Sequence, residues 1–473
     1  MQKSAIPDHV YRGYDLRGLV GSELDEERVE LLGRSYASYL LKRRIPDCVV
    51  GHDCRVSSPA FSKALIRGLT ESGINVYDIG LTLSQITYFA CYFFRTRGMV
   101  MITASHNPKE YNGFKLGMGY SETMLTADIL EFREQTKAGQ FLTKSPKGKH
   151  TKMDIKEDYL RDVLRHSGPV GKFKIVVDSC AATTGVFLPD ILRAAGCEVV
   201  EQNTVPDGEF PVGTPDPTEK EVQERLAKRV VAEKADLGFS YDADGDRIGV
   251  VDSDGRLMWN DTLVSIYTKD ILDFLPGSKI VYNTLCSKQV DDVIRERGGI
   301  PVMWKTGHSF IKAKVRDERA PFGGELSGHF YFVDNFYGHD DGAIASLRLL
   351  SYLTRVKKSL KEVVDELPKY VSSPEIKVGC PDDVKFSLVS EKIGEEIKKI
   401  YPNARYTEID GVRMDTDEEM LIVRASQNGP YLTVKFEGKT EISYRRLKKE
   451  VTAILKNFHQ IDWAKGSNIS ALS

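Results

Sequence analysis

The 473-residue chain contains no uninterrupted apolar run near the ~18 residues that a membrane-spanning helix requires. Its opening, MQKSAIPDHVYRGYD, lacks the apolar stretch of a secretory signal. Neither sign of charge is in excess: 66 basic residues meet 68 acidic ones, for a formal charge of −2. So close a balance removes nucleic acid and anionic membranes as expected partners. Any phosphate the protein binds must then be held by local groups rather than by the field of the whole molecule. Cysteine is sparse and scattered, at 48, 54, 91, 180, 197, 286 and 380, with no CxxC pair. An odd, dispersed set argues against a disulfide framework or a zinc site and suits reduced thiols. The expectation is a soluble cytoplasmic protein.

What is present is ample core-forming material, 41% hydrophobic against 28% charged residues. At roughly 100 to 200 residues per domain, the length predicts three or four domains. A weak internal repeat runs through the first three quarters. The three copies are CVVGHDCRVSSPAFSKALIRGLTESGINVYDIG from Cys48, KIVVDSCAATTGVFLPDILRAAGCEVVEQN from Lys174 and KIVYNTLCSKQVDDVIRERGGIPVMWK from Lys279. Each passes from a β-branched run through a small polar loop into a segment of helical period, then past a glycine (Gly73, Gly196, Gly299) into a second apolar run. Val-rich runs suit buried strands, Ser, Thr or Asp at the loop end can cap the helix, and a left-handed glycine can end it. Three strand–helix–strand units predict three related α/β domains.

The last ~100 residues follow a different pattern. After YVSSPEIKVGCPDD, read as a hinge at 371–383, comes a helical segment near Val384 to Ile400. Two strand-like runs, LIVRAS and YLTVKFEG, are joined by QNGP, a hairpin signal, and a basic amphipathic helix follows near Tyr444 to Phe458. This predicts a smaller α+β domain. The expected boundaries are 1–150, 151–255, 256–370 and 371–473.

Four segments carry chemistry. In YDADGDRIGVVD, Asp242, Asp244 and Asp246 stand two apart, with Gly245 permitting a tight turn. Three carboxylates on so short a loop repel one another unless a hard cation gathers them, and oxygen-only ligation suits magnesium. The glutamate that would complete a calcium EF-hand loop is absent, and the nearby DSDG at 252–255 reads as a hairpin turn. In MVMITASHNPKEYNGFKLG, an apolar strand runs into Ser105 and His106, with Lys115 ten residues on as a charge partner. A serine needs a base, a metal or a charged setting to act as nucleophile. Read alone, this segment is ordinary turn chemistry. GGELSGHF brings Glu325, Ser327 and His329 into one glycine-bearing loop, and RASQNGP offers Arg424, Ser426 and Asn428 as donors for a phosphate.

Taken in order and at these spacings, TASHNP, the DxDGDR loop, GE-x-SGH and a C-terminal Arg-x-Ser loop resemble the α-D-phosphohexomutase family over essentially the whole chain. YRGYDLRG, GHDCRVSSP and KTGHSFIK add to the likeness, and GGELSGH looks most like its phosphomannomutase/phosphoglucomutase branch. The resemblance implies three related mixed α/β domains and a smaller α+β domain around a central cleft. It implies Ser105 as a phosphoserine, with His106 beside it, and Mg²⁺ held by Asp242, Asp244, Asp246 and a phosphoserine oxygen. Arg247 and Lys115 would meet the reacting phosphate and sugar, and Glu325 and Ser327 would grip sugar hydroxyls. Tyr14, Arg17, His308 and His329 would line the site, and Arg424, Ser426, Gln427 and Asn428 would hold the phosphate that is not reacting.

Two departures stand out: Ala243 replaces the usual glycine of the metal loop, and Ser-Gln-Asn-Gly-Pro replaces the common Ser-Asn-Thr. The first stiffens the turn and the second alters two phosphate donors.

The implied reaction passes the phosphoryl group of phosphoserine 105 to a hexose monophosphate, giving a bound 1,6-bisphosphate. That intermediate turns over and returns its other phosphate to Ser105. His329 or Arg17 would handle the sugar hydroxyl's proton. Glucose 1,6-bisphosphate, or its mannose counterpart, would serve as activator, and the protein would be a monomer or homodimer. If Glu325 and Ser327 read O3 and O4, mannose and glucose phosphates are both accepted, because they differ only at C2. Alternatives are a phosphoglucosamine mutase, against which Leu326 argues because that branch tends to carry a polar residue there, a metal-dependent sugar phosphatase, and a non-catalytic phosphosugar-binding protein.

Overall fold

In the computed structural model, residues 5–427 and 429–472 are described. The first sheet holds β1 (Leu16–Leu19), β2 (Asp47–His52), β3 (Asn75–Leu81), β4 (Gly98–Ile102), β5 (Tyr111–Gly119), β6 (Glu122–Thr123) and β7 (His150–Lys152). Its order is β1-β5-β4-β2-β3-β7, with β6 beside β5. β2, β3, β4 and β7 are parallel, and β5 turns back antiparallel to β4. The second sheet holds β8 (Lys174–Asp178), β9 (Glu198–Gln202), β10 (Leu237–Tyr241), β11 (Ile248–Asp252) and β12 (Leu257–Met258), in the order β12-β11-β10-β8-β9. β8, β9 and β10 are parallel and β11 returns antiparallel. The path β3-β2-β4-β5 is thus repeated as β9-β8-β10-β11. β4 and β10 are buried along their whole length, as parallel strands covered on both faces must be. The DSDG turn joins β11 to β12 as expected, with Gly255 left-handed at φ +79°.

The three repeats fold as strand, helix and parallel strand. Their helices are Ser58–Glu71, Leu188–Ala194 and Lys288–Glu296. Gly73 (φ +95°) and Gly196 (φ +99°) close the first two. The third closes at Gly298 (φ +72°) rather than at the expected Gly299. There Gly298 N–H donates to Arg295 O and Gly299 N–H to Ile294 O, so the first glycine past the last turn takes the left-handed place of a Schellman closure. Side-chain capping is used only by Ser287, whose oxygen accepts from Gln289 N. The other two helices have proline in their first turn instead, where a missing N–H costs nothing.

The chain divides into two compact units, one of residues up to Tyr267 with Ser327–Asp365, the other of Thr268–Leu326 with the chain from Glu366 onward. The first unit contains the two sheets above. In the second unit, Lys279–Asn283 lies between the parallel strands Ile300–Trp304 and Phe322–Gly324, again the path of β9-β8-β10.

The rest of that unit is an antiparallel sheet in the order Arg405–Thr407, Val412–Asp415, Glu419–Ala425, Tyr431–Gly438, Ile376–Gly379, Asp462–Ser467. Glu419–Ala425 and Tyr431–Gly438 form the expected hairpin. The helix Glu441–Lys456 covers the sheet with Leu447, Val451 and Leu455, and starts three residues early because Thr440 caps Ser443 N. The segment predicted from Val384 runs from Lys385 to Ile400, with π-type turns at Leu388–Ile393.

The stretch 371–383, expected as a hinge, contributes two strands to this sheet. Val371–Ser372 and Ile376–Gly379 both pair with Tyr431–Gly438, and Cys380 N–H donates to Pro430 O. The two sheets of this unit are also pinned together. Buried Arg413, paired with Asp415, donates to the carbonyls of Thr284 and Cys286, each at 2.6 Å. Glu437 accepts from Ser287 Oγ at 3.0 Å and from Lys288 N. Among the described residues no helix is long and apolar enough to cross a membrane.

Candidate active site

The chemistry-bearing segments fall at equivalent places in the repeated fold. Ser105 follows β4, the aspartate loop follows β10, and Glu325 follows Phe322–Gly324, in each case the third parallel strand of its sheet. In α/β sheets ligands gather at such carboxyl ends, where backbone groups and short turns are open to them.

Ser105 sits in the turn between β4 and β5 with φ +49°, a left-handed conformation uncommon for a non-glycine residue. Its N–H donates to Thr103 Oγ1 at 2.9 Å. Its hydroxyl donates to Asp242 Oδ2 at 2.7 Å and lies 3.2 Å from His106 Nδ1. Arg17 reaches the same turn through Asn107 Oδ1 (2.7 Å), while its own guanidinium is paired with Asp15 at 2.8 Å. Tyr14 is buried in the turn that precedes β1.

The aspartate loop wraps around Gly245, left-handed at φ +79°. Gly245 N and Arg247 N both donate to Asp242 Oδ1 at 3.1 Å. Carboxylate oxygens of Asp242, Asp244 and Asp246 lie within 4.8 Å of one another, and all three residues are buried. Lys115, on β5 opposite Met101, brings its ammonium to Asp244 Oδ2 (2.6 Å) and to Asp246 Oδ2. Ser84 joins the pair by donating to Asp244 Oδ2 (2.6 Å) and accepting from Lys115 Nζ (3.0 Å). Arg247 directs Nε to Asp242 Oδ2 (3.1 Å) and Nη1 to Asp216 Oδ1 (3.4 Å), and its buried Nη2 makes no hydrogen bond.

The electrostatics follow from burial and crowding. Burial, with repulsion from Asp246 and Asp244 behind it, pushes the Asp242 carboxyl well above the usual range. Burial acts against the charge of Lys115 too, but the Asp244 and Asp246 carboxylates outweigh it and hold the amine firmly protonated. Asp244 Oδ1 and Asp246 Oδ1 are buried and make no hydrogen bond. Oxygens left without donors beside a carboxyl driven toward its neutral form are what a hard divalent cation relieves, so this set fits magnesium.

The remaining expected residues fall in both units. In the first, His329 Nδ1 lies 3.0 Å from Asp340 Oδ2 and 3.7 Å from Asp246 Oδ1, and Ser327 is half-buried. In the second, His308 opens the helix His308–Glu318, and Glu325 Oε2 accepts from Gly307 N at 2.9 Å. Arg424 donates from Nε to Asp410 Oδ2 (2.8 Å), which also accepts from Thr306 N (2.9 Å) and Thr284 Oγ1 (3.1 Å). Ser426 is buried, with its N–H on Tyr431 O, and Gln427 is exposed. Asn428 lies outside the described residues.

Sequence reasoning missed Arg55, Ser84, Asp216, Asp340 and Asp410. Each acts on a neighbour rather than on an open site. The one available signal was a charged residue beside an apolar strand end, as in the Asp53-Cys54-Arg55 triplet after β2.

Comparison with known proteins gives a consistent result. Models of phosphoglucomutase/phosphomannomutase α/β/α domains I, II and III match residues 9–142, 157–255 and 259–370. The chain is 36% identical over 451 residues to a phosphomannomutase/phosphoglucomutase of Pseudomonas syringae pv. tomato, covering 95% of this chain and 96% of that one. It is 31% identical over 460 residues to a phosphoglucomutase of Neisseria gonorrhoeae, covering 97% and 99%. A crystal structure of a phosphoglucomutase/phosphomannomutase family protein from Burkholderia thailandensis superposes with a TM-score of 0.88 at 30% identity, covering 96% and 98%.

Proposed function

Because the chain belongs to the α-D-phosphohexomutase family, a family of isomerases, we propose that it interconverts hexose 1-phosphates and hexose 6-phosphates of mannose and glucose. The observation that carries this reading is the Ser105 hydroxyl, aimed at 2.7 Å into a buried loop of three aspartates that Lys115 and Arg247 border.

In the proposed cycle Ser105 carries a phosphoryl group. A hydroxyl of the bound hexose monophosphate attacks phosphorus, the bond to Ser105 Oγ breaks, and a 1,6-bisphosphate forms. Its other phosphoryl group then returns to Ser105 after the sugar has turned over. A Mg²⁺ ion held by Asp242, Asp244 and Asp246 supplies charge neutralisation when bound. Lys115, held protonated by its carboxylates, and the free Nη2 of Arg247 present positive charge to the equatorial oxygens as charge spreads over them.

The attacking hydroxyl gives its proton to His329, an imidazole near Asp340, in preference to Arg17. A guanidinium paired with Asp15 does not part with a proton near neutrality. Glu325 and Ser327 hold sugar hydroxyls, and Arg424 with Ser426 and Gln427 holds the phosphate that is not reacting. A 1,6-bisphosphate that escapes leaves Ser105 bare, so free glucose or mannose 1,6-bisphosphate acts as the activator that recharges it.

The test is a coupled assay with mannose 1-phosphate and glucose 1-phosphate, Mg²⁺ and a trace of glucose 1,6-bisphosphate. Conversion of both by the wild type and of neither by Ser105→Ala supports a dual-specificity mutase. Conversion of glucosamine phosphates alone would move the substrate to that branch, and net release of inorganic phosphate would make it a phosphatase.

A further inference from the structure

Arg55 lies in a sequence motif, GHDCRVSSP, to which the reaction above gives no role. Its side chain is fully buried, and every one of its five N–H donors is used. Nε donates to Asp53 Oδ2 at 3.1 Å. Nη1 donates to the carbonyls of Pro108 (2.8 Å) and Tyr111 (3.1 Å). Nη2 donates to the carbonyls of Ser105 and Asn107, both at 2.7 Å. The turn from Ser105 to Tyr111 therefore bends around one guanidinium.

Four carbonyl dipoles converging on a dry centre repel one another unless a cation lies between them, and a guanidinium supplies both the charge and the planar fork. The plane is itself fixed. Asp53 accepts the backbone N–H of Arg55 (3.0 Å) and the hydroxyl of Ser58 (2.6 Å), and the Phe210 ring lies 5.0 Å from Arg55 Cζ.

The consequence falls on Ser105. A left-handed φ in a residue with a Cβ is strained and persists only where its surroundings impose it. Here the Ser105 carbonyl is pinned by Arg55 and its N–H by Thr103, so the two peptide units flanking the side chain cannot rotate. With the backbone so held, the side chain directs its hydroxyl to Asp242 Oδ2 at 2.7 Å.

We infer that Arg55, held by Asp53, is the positioning residue that fixes the conformation of Ser105 for phosphoryl transfer, without itself touching substrate. The inference rests on the reading of Ser105 as the phosphoryl carrier. Lysine at 55 keeps the charge but offers its donors from a single nitrogen, which cannot reach acceptors spread from Ser105 to Tyr111. A displacement of the reacting group on the order of 1 Å costs about 10²-fold in rate.

The experiment compares wild type, Arg55→Lys, Asp53→Asn and Ser105→Ala as full chains. The measurements are kcat and KM for glucose 1-phosphate, the single-turnover rate at which phosphoserine enzyme discharges to hexose monophosphate, and the melting temperature. The expected result for folded R55K is a kcat and a discharge rate about 10²-fold lower, with KM within about two-fold of wild type. A kcat within two-fold of wild type, or a loss confined to KM, overturns the inference. Should R55K fail to fold, the isosteric D53N carries the test. A kcat down at least about five-fold at unchanged KM supports the inference, and an unchanged kcat overturns it. If S105A turns over like wild type, the Ser105 reading falls and this one with it. If S105A is inactive while R55K and D53N are unimpaired, only the role of Arg55 falls.

Discussion

Lys115→Met removes the one ammonium inserted between two buried carboxylates while keeping the length of the side chain. At an effective dielectric of about 20, its contact with Asp244 at 2.6 Å amounts to about 6 kcal/mol of gross attraction, and the Asp246 contact is of the same order. Against this stands the cost of bringing the charges out of water, several kcal/mol per ion. The net loss on deleting one partner of such a buried set is therefore about 3–5 kcal/mol, because Asp244 and Asp246 are left uncompensated. At about 1.5 °C per kcal/mol for a unit of roughly 300 residues, the melting transition of the mutant should fall by roughly 5–8 °C in the absence of divalent cations.

A cation bound by the three aspartates takes over part of the missing counter-charge, so millimolar Mg²⁺ should raise the melting temperature of K115M more than that of wild type. The assay is thermal unfolding of both proteins with EDTA and with Mg²⁺. If K115M melts within ~1.5 °C of wild type in EDTA, a shift worth no more than about 1 kcal/mol, the ammonium is not the counter-charge of this loop. If Mg²⁺ shifts both proteins equally, the loop does not hold the ion through these carboxylates.

Further expectations concern the supports of the site. Gly245→Ala places a Cβ at left-handed φ, 2.9 Å from Gln85 Nε2 and 3.0 Å from Thr184 Cγ2, so it should cost about 1–3 kcal/mol. The Mg²⁺ concentration for half-maximal activity should rise about ten-fold, read from a metal titration of turnover. Asp410→Asn weakens the hold on Arg424, Thr306 N and Thr284 Oγ1. Losing a charge-assisted bond of about 1.5–3 kcal/mol should raise KM for the phosphosugar about ten-fold or more while kcat changes less, measured by steady-state kinetics. Arg413→Met leaves Asp415 buried without its partner and strands the carbonyls of Thr284 and Cys286, so chemical denaturation should report about 3–5 kcal/mol lost.

Local patterns were legible in the sequence wherever one segment decides its own structure. The runs at Cys48, Lys174 and Lys279 became strand, helix and parallel strand because β-branched residues, helical period and a closing glycine all lie within about thirty residues. The displacement from Gly299 to Gly298 has the same local origin, since two adjacent glycines offer the closure equally and the helix takes the first. Proline and serine make 371–383 look like a link, yet here Pro374 and Pro381 flank Ile376–Gly379, an interior strand between Tyr431–Gly438 and Asp462–Ser467. Its pairing with Tyr431–Gly438 depends on residues sixty positions away.

The candidate site divides along the same line. Ser105 and the three aspartates stand in short motifs whose chemistry is local. That Lys115 would meet Asp244 and Asp246 was not legible, because the contact spans about 130 residues and arises only when two copies of the repeated sheet are brought together. Arg55 and Asp410 stayed hidden for another reason. They hold backbone carbonyls and other charged side chains that only the fold brings to them, so their immediate sequence shows the charge but not its task.

The most direct test of the central claim is to follow a single phosphoryl group. Wild type and Ser105→Ala are incubated with glucose 1,6-bisphosphate and Mg²⁺, weighed intact and fragmented to locate the modification, then exposed to mannose 6-phosphate. The account predicts one phosphoryl group on Ser105 of the wild type and none on S105A, discharged on the sugar as mannose 1,6-bisphosphate. A wild-type protein that takes up no phosphoryl group, carries it elsewhere, or yields it only to water would contradict the account.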